Sequence, residues 1–391
     1  MLEKDAIVVG ARVAGSTLAT ALKKQGWDVL LVDRDRFPSH TISTNLVFPN
    51  TLAKMDELGS LSTLLGKYDV PMLAWRMDGL GHDIRGTFTP VNGFDKLISP
   101  RRIALDDAVV QTALDAGVDS RLGERVVDLI GTGTSDDPVR GVKLECGDEV
   151  RAKWVFGADG RASTVAGKLG IGKENPLQGE VSYLIGFWKG IPNDGDATSL
   201  IRSTEILSSW AAEDGHHMLT AWGDAEFTRG SKEELRARYL EFLRRFPEVV
   251  AHEDLDKAEM TSGVIVAPET MMRGYFRKPT GPGWALVGDS CHFKHPGTGQ
   301  GIGDAIDQAL HVASAASGDD PTLSKYEAWR DKRAEQQYAW SYAWGRFPTS
   351  DAFFKGWATE PDARQDLIDS FSRQVEPSEL LTKERVDRWF G

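Results

Sequence analysis

The chain has 391 residues, a formal net charge of −12 and a hydrophobic fraction of 41%. This length and apolar content are sufficient for two packed regions with substantial cores. The acidic balance excludes nucleic acid and an anionic membrane surface as main partners, because both are bound through basic faces.

The sequence also limits the cellular compartment. Cys146 and Cys291 are the only cysteines, and their wide separation predicts neither a disulfide framework nor a zinc cluster. Strand-like sequence begins by Ala6, so no signal peptide is expected. No run of about 18 apolar residues is present to span a bilayer. We therefore expect a cytoplasmic protein that has no metal site.

The first elements are a predicted strand, glycine turn, helix and strand. The apolar run Ala6–Val9 leads into the turn Gly10–Gly15 (GARVAG), a helical pattern follows, and a second apolar run ends in Asp33. This order is typical of a dinucleotide-binding unit, with pyrophosphate at the helix N-terminus and the acid on a ribose. Asp33 alone does not distinguish NAD, NADP and FAD.

Arg12 departs from this fingerprint, because it occupies the position of the second glycine. That glycine normally allows the backbone to approach the pyrophosphate. One interpretation is that the cofactor lies further out. Another is that the Arg12 side chain swings aside and neutralises phosphate or lines the pocket. A solvated arginine in a tolerated variant is the simplest alternative.

The middle of the chain predicts a second sheet. A polar loop at Phe37–Pro49 and a helix at Thr51–Leu65 precede a hairpin at Trp75–Thr89. From Val181 to Trp222 apolar and polar residues alternate, which indicates antiparallel strands. We expect these strands to form a sheet inserted between the pieces of the nucleotide-binding region.

Two further acidic turns punctuate the chain. The strand that ends at Gly157 leads into GADGRAS, in which Asp159 is suited to hold a helix N-terminus or a ligand hydroxyl. The apolar run Trp284–Val287 leads into GDSCHFKHPGTGQGIG, whose last glycines open a helix. Glycines at that position let a ligand approach the backbone, and the helix N-terminus favours an anion or an electron-rich ring edge.

Together, these three motifs resemble the FAD-dependent aromatic hydroxylases, the flavoprotein monooxygenases of the p-hydroxybenzoate hydroxylase type. Gly10–Gly15 with Asp33 is the fingerprint, Gly157–Ser163 the Asp-Gly motif and Gly288–Gly301 the Gly-Asp motif. Arg102 with Leu105-Asp106 fits the R-x-x-L-D helix start of that family. His295 replaces the first proline of the usual Pro-Pro pair, and Gly303 a frequent asparagine.

The resemblance implies an α/β fold: a Rossmann-like FAD-binding domain, an inserted antiparallel-sheet substrate domain and C-terminal helices. We assign residues 1–72, 97–178 and 264–318 to the FAD-binding domain. Residues 73–96 and 179–263 form the expected substrate domain, and 319–391 the helical region. In the last region, an aromatic stripe from Tyr326 to Trp344 predicts a long helix that packs against the body or a second copy.

The resemblance also assigns roles in cofactor binding. Asp33 would bind the adenosine ribose, Arg102 the pyrophosphate side and Asp289 the ribityl chain, while Asp159 is linked to NAD(P)H use. Backbone N–H groups at Gly299–Gly301 would face the pyrimidine edge of the flavin. The full set of implied FAD-binding residues is Gly10, Arg12, Ala14, Gly15, Asp33, Arg102, Asp159, Gly288, Asp289, Pro296, Gly299, Gln300 and Gly301.

The chemistry that the resemblance implies is hydroxylation of an aromatic or polyketide-like small molecule. NAD(P)H would reduce FAD, and O2 would form a flavin C4a-hydroperoxide that transfers one oxygen atom. The scaffold also serves flavin halogenases and geranylgeranyl-reductase-like proteins. The halogenase element W-x-W-x-I-P has only a partial match at Trp188–Pro192, and the reductase element aromatic-x-Trp-x-Phe-Pro has none. A flavin-binding protein without turnover remains an alternative.

No catalytic residue is identified with certainty from the sequence. Lys294 and His295 are the candidates, because both depart from the family pattern and both are able to touch substrate or cofactor. Trp210, Trp222 and His295 are expected to line the substrate pocket, with core packing as an equal alternative for the tryptophans. A homodimer and a partner flavin reductase are left open.

Overall fold

The computed structural model describes residues 2–43, 45–346 and 350–390. Residues 1, 44, 347–349 and 391 lie outside the described part, including Thr44 of the loop predicted at Phe37–Pro49. Within that part, no helix is both long enough and apolar enough to cross a bilayer.

The strands are short and are separated by turns. Numbered along the chain, they are β1 (Leu2–Val9), β2 (Val29–Asp33), β3 (Ala74–Gly79), β4 (His82–Gly86), β5 (Asp119–Leu122), β6 (Val126–Ile130), β7 (Gly141–Leu144), β8 (Glu149–Gly157), β9 (Ser182–Lys189), β10 (Asp196–Arg202), β11 (Glu205–Ala211), β12 (His216–Gly223), β13 (Glu259–Met260), β14 (Ile265–Ala267), β15 (Tyr275–Phe276), β16 (Thr280–Gly281), β17 (Trp284–Leu286) and β18 (His292–Phe293).

The helices lie on both sides of the nucleotide-binding sheet and make up most of the C-terminal region. They are α1 (Val13–Lys24), α2 (Pro49–Leu58), α3 (Ser60–Lys67), α4 (Arg102–Asp115), α5 (Thr164–Lys168), α6 (Lys232–Arg244), α7 (His252–Lys257), α8 (Gly301–Ser317), α9 (Tyr326–Trp344), α10 (Asp351–Thr359), α11 (Pro361–Phe371), α12 (Pro377–Leu380) and α13 (Lys383–Phe390).

The first sheet is mainly parallel and has the order β16-β17-β8-β1-β2-β5. Strands β17, β8, β1 and β2 pair in parallel, so their carboxyl ends meet at one edge. Helices α1, α4 and α8 cover one face, where their apolar sides form the largest core. Ligands bind at the carboxyl edge of such open sheets, so this edge is where a site is expected.

The second sheet has the order β13-β9-β12-β11-β10-β3-β4, with β14 also paired to β9. Helix α6 packs on its outer face, and the C-terminal helices α9, α10 and α11 contribute to the core on its inner face. The sheet is antiparallel apart from β3 and β10, which are parallel neighbours. The hairpin β3–β4 therefore joins the sheet predicted from the later strands.

The predicted fold class agrees with this architecture, and three local differences have physical reasons. The helix predicted at Thr51–Leu65 is two helices, because Gly59 adopts φ +90° and ends α2. Strand β14 pairs with β9 of the second sheet although it falls in the range 264–318 assigned to the first domain. On α9, the stripe predicted from the sequence comprises Tyr326, Trp329, Arg333, Gln336, Trp340 and Trp344. Gln336 is exposed, however, and Arg330 and Gln337 are buried instead.

Candidate functional site

Four parallel strands place glycines and acids at the same edge of the first sheet. Gly10 follows β1, Asp33 ends β2, Asp159 follows β8 and Asp289 follows β17. All four residues line one cavity of about 700 Å³ that reaches the second sheet. Motifs that are far apart in the sequence therefore meet at one site.

The glycine turn after β1 brings a helix N-terminus to this cavity. Gly10 has φ +105°, and a Cβ there would lie 2.4 Å from the carbonyl oxygen of Ala158. A Cβ at Gly15 would lie 1.7 Å from the carbonyl oxygen of Gly10. Gly10 and Ala14 line the cavity, whereas Gly15 lies behind them and permits the close packing of α1. Free N–H groups at the start of α1 favour an anion.

Asp33 supports the same turn through its side chain. Its Oδ2 accepts a hydrogen bond from the N–H of Ala11 at 2.6 Å, and its Oδ1 accepts one from the N–H of Asp35 at 2.8 Å. Burial raises the pKa of Asp33, and the two backbone hydrogen bonds oppose that shift. Its predicted role on the adenosine ribose remains a prediction.

Arg12 and Arg102 share one buried carboxylate. Arg12 Nη1 donates to Asp106 Oδ2 at 2.6 Å, and Arg102 Nη2 donates to Asp106 Oδ1 at 2.7 Å. Arg12 Nη2 also donates to Asp35 Oδ2 and Ser39 Oγ, each at 3.0 Å. Arg12 and Arg102 line the cavity, so Arg12 is a fixed, partly buried cation rather than a solvated one. Asp106 and Asp35 together balance the two guanidinium groups and hold both of them on this wall of the cavity.

Asp159 joins the cavity to the N-terminus of α5. Its Oδ2 accepts hydrogen bonds from the N–H groups of Thr164 at 2.6 Å and Val165 at 3.2 Å. Its Oδ1 is buried without a hydrogen-bond partner among the described residues. Burial raises the pKa of Asp159. The orphaned oxygen is suited to a ligand hydroxyl, because a buried polar atom without a partner costs free energy.

Asp289 presents a carboxylate that the fold itself does not use. Gly288, at φ +62°, donates its N–H to Gln308 Oε1 at 2.8 Å and fixes the turn. The Asp289 side chain accepts no hydrogen bond from the described residues. Burial raises the pKa of Asp289, whereas the charges of Arg161 and Arg102 act to lower it. This group is well placed to bind hydroxyls of an extended ligand.

The glycine segment before α8 divides its residues between two environments. Pro296 and Gly301 line the cavity, and Gly299 adopts φ +66° beside it. The Gln300 side chain does not line the cavity; its Nε2 donates to the carbonyl oxygen of Ser370 at 3.0 Å. Gln300 therefore fixes the C-terminal region against the start of α8, an arrangement that sequence reasoning did not anticipate.

Lys294 is buried beside the start of α8. Its Nζ lies 2.6 Å from Asp304 Oδ2 and donates to Gln300 Oε1 at 3.2 Å. Burial, together with the charge of Arg373, lowers the pKa of Lys294 to about 7. Lys294 and Asp304 both line the cavity.

His295 is held as a neutral ring. Its Nδ1 accepts the N–H of Gly297 at 3.1 Å, and its Nε2 faces the hydroxyl of Tyr183 at 3.5 Å. Burial lowers the pKa of His295 to about 3. Because Nδ1 is an acceptor, we assign the proton of the neutral ring to Nε2, and the ring has no free basic nitrogen at neutral pH.

The far end of the cavity forms a chamber to which the second sheet contributes only uncharged residues. Arg161, which also lines the cavity, donates to the carbonyl oxygen of Met271 at the edge of this chamber. Trp210 and Trp222 both line the chamber, and each also packs in the core beneath the second sheet; their role toward a substrate stays a prediction. The residues that line the chamber from β9, β11, β12 and β14 and the neighbouring 3₁₀ turn are all uncharged: Tyr183, Ile185, Trp210, Thr220, Trp222, Ala267, Met271 and Met272.

A small apolar cavity of about 40 Å³ adjoins this chamber. Trp210, Trp222 and Pro296 line both spaces, and Trp75 and Phe371 lie on the far side of the smaller one.

Several site residues could not be found from the sequence. Asp106 appears in the R-x-x-L-D pattern, but nothing in that pattern indicates that it also pairs with Arg12. Arg373 reaches the start of α8 from beyond α11, and Tyr183 carried no motif. In the described part of the chain, no cluster of His, Cys, Asp and Glu is arranged to hold a metal ion.

Comparison with known proteins agrees with this geometry. A family model described as an FAD binding domain matches residues 3–341. The menaquinone reductase of Mycolicibacterium smegmatis is 28% identical over 76% of the chain and 72% of that protein. The FAD-dependent monooxygenase ntnJ of a Nectria species is 25% identical over 86% and 83%. The structure of the flavin-dependent brominase Bmp2 superposes with a TM-score of 0.74 at 18% identity, over 99% of this chain and 97% of that one.

Proposed function

The chain belongs to the FAD-binding-domain family of FAD-dependent oxidoreductases, and we propose that it hydroxylates a neutral aromatic or polyketide-like small molecule. O2 would be the oxidant and NAD(P)H the electron donor. One observation carries this proposal: a single cavity joins the carboxyl edge of the first sheet to a chamber that the second sheet lines with aromatic and other uncharged residues.

The residues that line the cavity fit a flavin dinucleotide. At one end, the N-terminus of α1 and the guanidinium groups of Arg12 and Arg102, which both line the cavity, suit a pyrophosphate. Beyond it, Asp289 and the orphaned oxygen of Asp159 suit hydroxyls. At the start of α8, helix N–H groups and Lys294 suit the electron-rich edge of the ring.

When bound, FAD supplies the redox chemistry that activates O2 for transfer of one oxygen atom. The protein must exclude water and orient the substrate. Trp210, Trp222 and Met272 provide an apolar wall for the first task. For the second, the buried Thr220 hydroxyl and the Trp222 indole N–H have no hydrogen-bond partner among the described residues. A substrate carbonyl or hydroxyl would satisfy them.

The second sheet contributes no charged side chain to the chamber, and this limits the substrate class. Burying an unpaired carboxylate costs several kcal/mol or more, so that a benzoate-like anion would need a cationic partner. The eight residues from the second sheet and its 3₁₀ turn include none, and His295 is neutral because burial lowers its pKa to about 3. Arg161 already donates to the carbonyl oxygen of Met271, so a carboxylated substrate would have to compete for that guanidinium group. We therefore expect a neutral planar substrate.

Reduction is the second candidate, because the menaquinone reductase relative matches most of the chain and a quinone would also suit an uncharged chamber. Halogenation has less support. Trp188, in the partial halogenase element, donates to Tyr239 on the outer face of the second sheet at 3.1 Å and does not line the cavity.

The test is a screen of the FAD-loaded protein for ligand-stimulated NADH or NADPH oxidation. Neutral phenols, quinones and polyketide-like compounds would be compared with matched carboxylated analogues. Uptake of O2 with a product heavier by one oxygen atom supports hydroxylation. Turnover without O2 that adds two hydrogens to the product would show reduction and contradict hydroxylation. Binding of FAD without stimulated turnover would contradict both functions.

Two variants test the chamber directly. Thr220→Val preserves shape closely while removing the hydroxyl, and Trp222→Phe removes the indole N–H together with one ring of the indole. We expect each variant to raise KM about tenfold, since one hydrogen bond is worth about 1 kcal/mol or more, with flavin content unchanged. An unaltered KM for the best substrate of the screen would remove both residues from substrate orientation.

A cytoplasmic location, a homodimer and a partner reductase remain predictions.

A further inference from the structure

A cluster of charged side chains lies directly behind the start of α8. We call it the charge cluster, and its members are Lys54, Lys294, Asp304, Asp307, Arg333 and Arg373. Four cations thus share two carboxylates. Burial of a surplus of like charge is unfavourable unless an anion compensates it.

Direct contacts link the members into one network. Lys294 Nζ lies 2.6 Å from Asp304 Oδ2, and Arg373 pairs with the other oxygen of the same carboxylate. Asp307 accepts a hydrogen bond from Arg333 Nε at 2.8 Å and pairs with Lys54. Arg373 also lies within 3.9 Å of Asp307. The two carboxylates are therefore already occupied. Lys54 and Arg333 are partly exposed, and Glu376 acts on Arg333 from outside the cluster, so the buried positive surplus lies with Lys294 and Arg373.

Lys294 is the cation of this cluster that reaches the cavity. It lines the cavity wall beside Gly301 and Ile302, whereas Lys54, Arg333 and Arg373 do not. Its side chain is 3% exposed, so solvent screens its charge weakly. The N-terminus of α8 adds a partial positive charge at the same place.

We propose that Lys294 stabilises negative charge on the reduced flavin, with Asp304 and Arg373 as positioning residues. The uncompensated positive charge of the cluster and the start of α8 act on the same end of the cavity. The C-terminal region, which supplies Arg373, is then part of the flavin site and not only a packing element. This inference uses the bound FAD of the proposed function but does not depend on the fate of oxygen.

The proposal has a pH signature. Lys294 faces Asp304 from α8, Arg333 from α9, Arg373 from beyond α11 and His292 from β18, and burial keeps His292 neutral by lowering its pKa to about 3. Burial and Arg373 lower the pKa of Lys294 to about 7, and Asp304 opposes them. The lysine is charged below that pH and neutral above it. Stabilisation of the reduced ring is therefore strongest in mild acid and weakens as pH rises.

The experiment measures the reduction potential of bound FAD against a reference dye in the wild type and three variants. Lys294→Met removes the charge that lines the cavity. Lys54→Met is the matched control, because it removes a cation of the same cluster that does not line the cavity. Lys294→Arg retains a cation that does not titrate near neutrality.

At about pH 6, we expect Lys294→Met to bind reduced over oxidised flavin with a preference at least about tenfold smaller than that of the wild type. For a two-electron couple, this change lowers the reduction potential by about 30 mV. Lys54→Met should lower the potential much less, because Lys54 is partly exposed and does not line the cavity. The reduction potential of Lys294→Arg should equal that of the wild type at about pH 6. It should lie above the wild-type potential at about pH 8.5, where the wild-type Lys294 has lost its proton.

The proposal is overturned if Lys294→Met has the wild-type potential at about pH 6, or if Lys54→Met shifts as far. If Lys294→Met retains no flavin, Lys294→Arg decides: a potential equal to the wild type at both pH values contradicts the inference. Product analysis is separate, so a reductase with the expected potentials would refute hydroxylation and leave the role of Lys294 intact.

Discussion

Substitution of Asp106 by Asn tests whether Arg12 and Arg102 are reserved for an anionic ligand. Asp106 is fully buried and receives hydrogen bonds from both guanidinium groups. Asn has nearly the same shape but carries no charge. In the protein without FAD, the substitution therefore leaves two partly buried cations with less compensation.

The size of the effect follows from burial. Removing one partner of a buried ion pair costs about 3–5 kcal/mol. The side chains of Arg12 and Arg102 are 24% and 13% exposed, so solvent offsets part of that loss. We expect Asp106→Asn to lower the free energy of unfolding of the FAD-free protein by about 2 kcal/mol. Bound pyrophosphate would replace the missing carboxylate, and the cost in the FAD-loaded protein should be smaller.

The assay is denaturant unfolding with and without saturating FAD, together with the Kd for FAD. We expect the variant to bind FAD about tenfold more tightly, which corresponds to about 1.4 kcal/mol. Asp107→Asn is the control, because Asp107 pairs with the exposed Lys67 and such a surface pair is worth about 1 kcal/mol or less. An equal loss of stability with and without FAD would refute the assignment of the two arginines to the pyrophosphate.

Three further predictions follow from the same geometry. Gly15→Ala should lower the free energy of unfolding by more than about 3 kcal/mol or prevent folding, because its Cβ would lie 1.7 Å from a carbonyl oxygen. Gly66→Ala in α3 meets no atom within 4 Å and should raise the free energy of unfolding by up to about 1 kcal/mol. Comparable unfolding midpoints for the two variants would contradict this prediction. Asp289→Ala should purify flavin-poor at near-normal stability, since the fold makes no hydrogen bond to its carboxylate, and full yellow colour would count against its role. Burial lowers the pKa of His217 to about 4 and that of His295 to about 3, so the unfolded chain binds protons first as pH falls; stability should drop by about 1–2 kcal/mol per histidine between about pH 7 and 5. His217→Gln should reduce that slope in melting experiments, and an unchanged slope would argue against a buried neutral ring.

The C-terminal region illustrates where sequence reasoning stops. The spacing of aromatic residues predicts the long helix α9, but not which of its sides is buried. Arg373 and Gln300 are distant in sequence and share no pattern. Arg373 nevertheless pairs with Asp304, and Gln300 donates to the end of α11, and both contacts lie beside the start of α8. Such contacts depend on how whole elements pack, which local periodicity does not encode.

Arg12 shows a second limit. Its position in the fingerprint left open a solvated side chain, a phosphate contact or a pocket wall. The structure adds Asp106 from a distant helix, and that carboxylate fixes the guanidinium against the cavity. An ion pair between residues so far apart in the sequence can be recognised only once the structure places α1 and α4 side by side.

The sequence by itself determined the dinucleotide-binding unit, because the strand, glycine turn, helix and acid are local and each has a direct backbone reason. The flavin cofactor followed only from the resemblance of the three separated motifs to a known family. Gly10 must adopt a positive φ, and Asp33 must end a strand, whatever the rest of the chain does. The tertiary structure alone decided which charges lie behind the start of α8 and that the second sheet lines the chamber with uncharged residues. Both depend on long-range packing, which buries Lys294 beside Asp304 and sets one side of the second sheet against the carboxyl edge of the first.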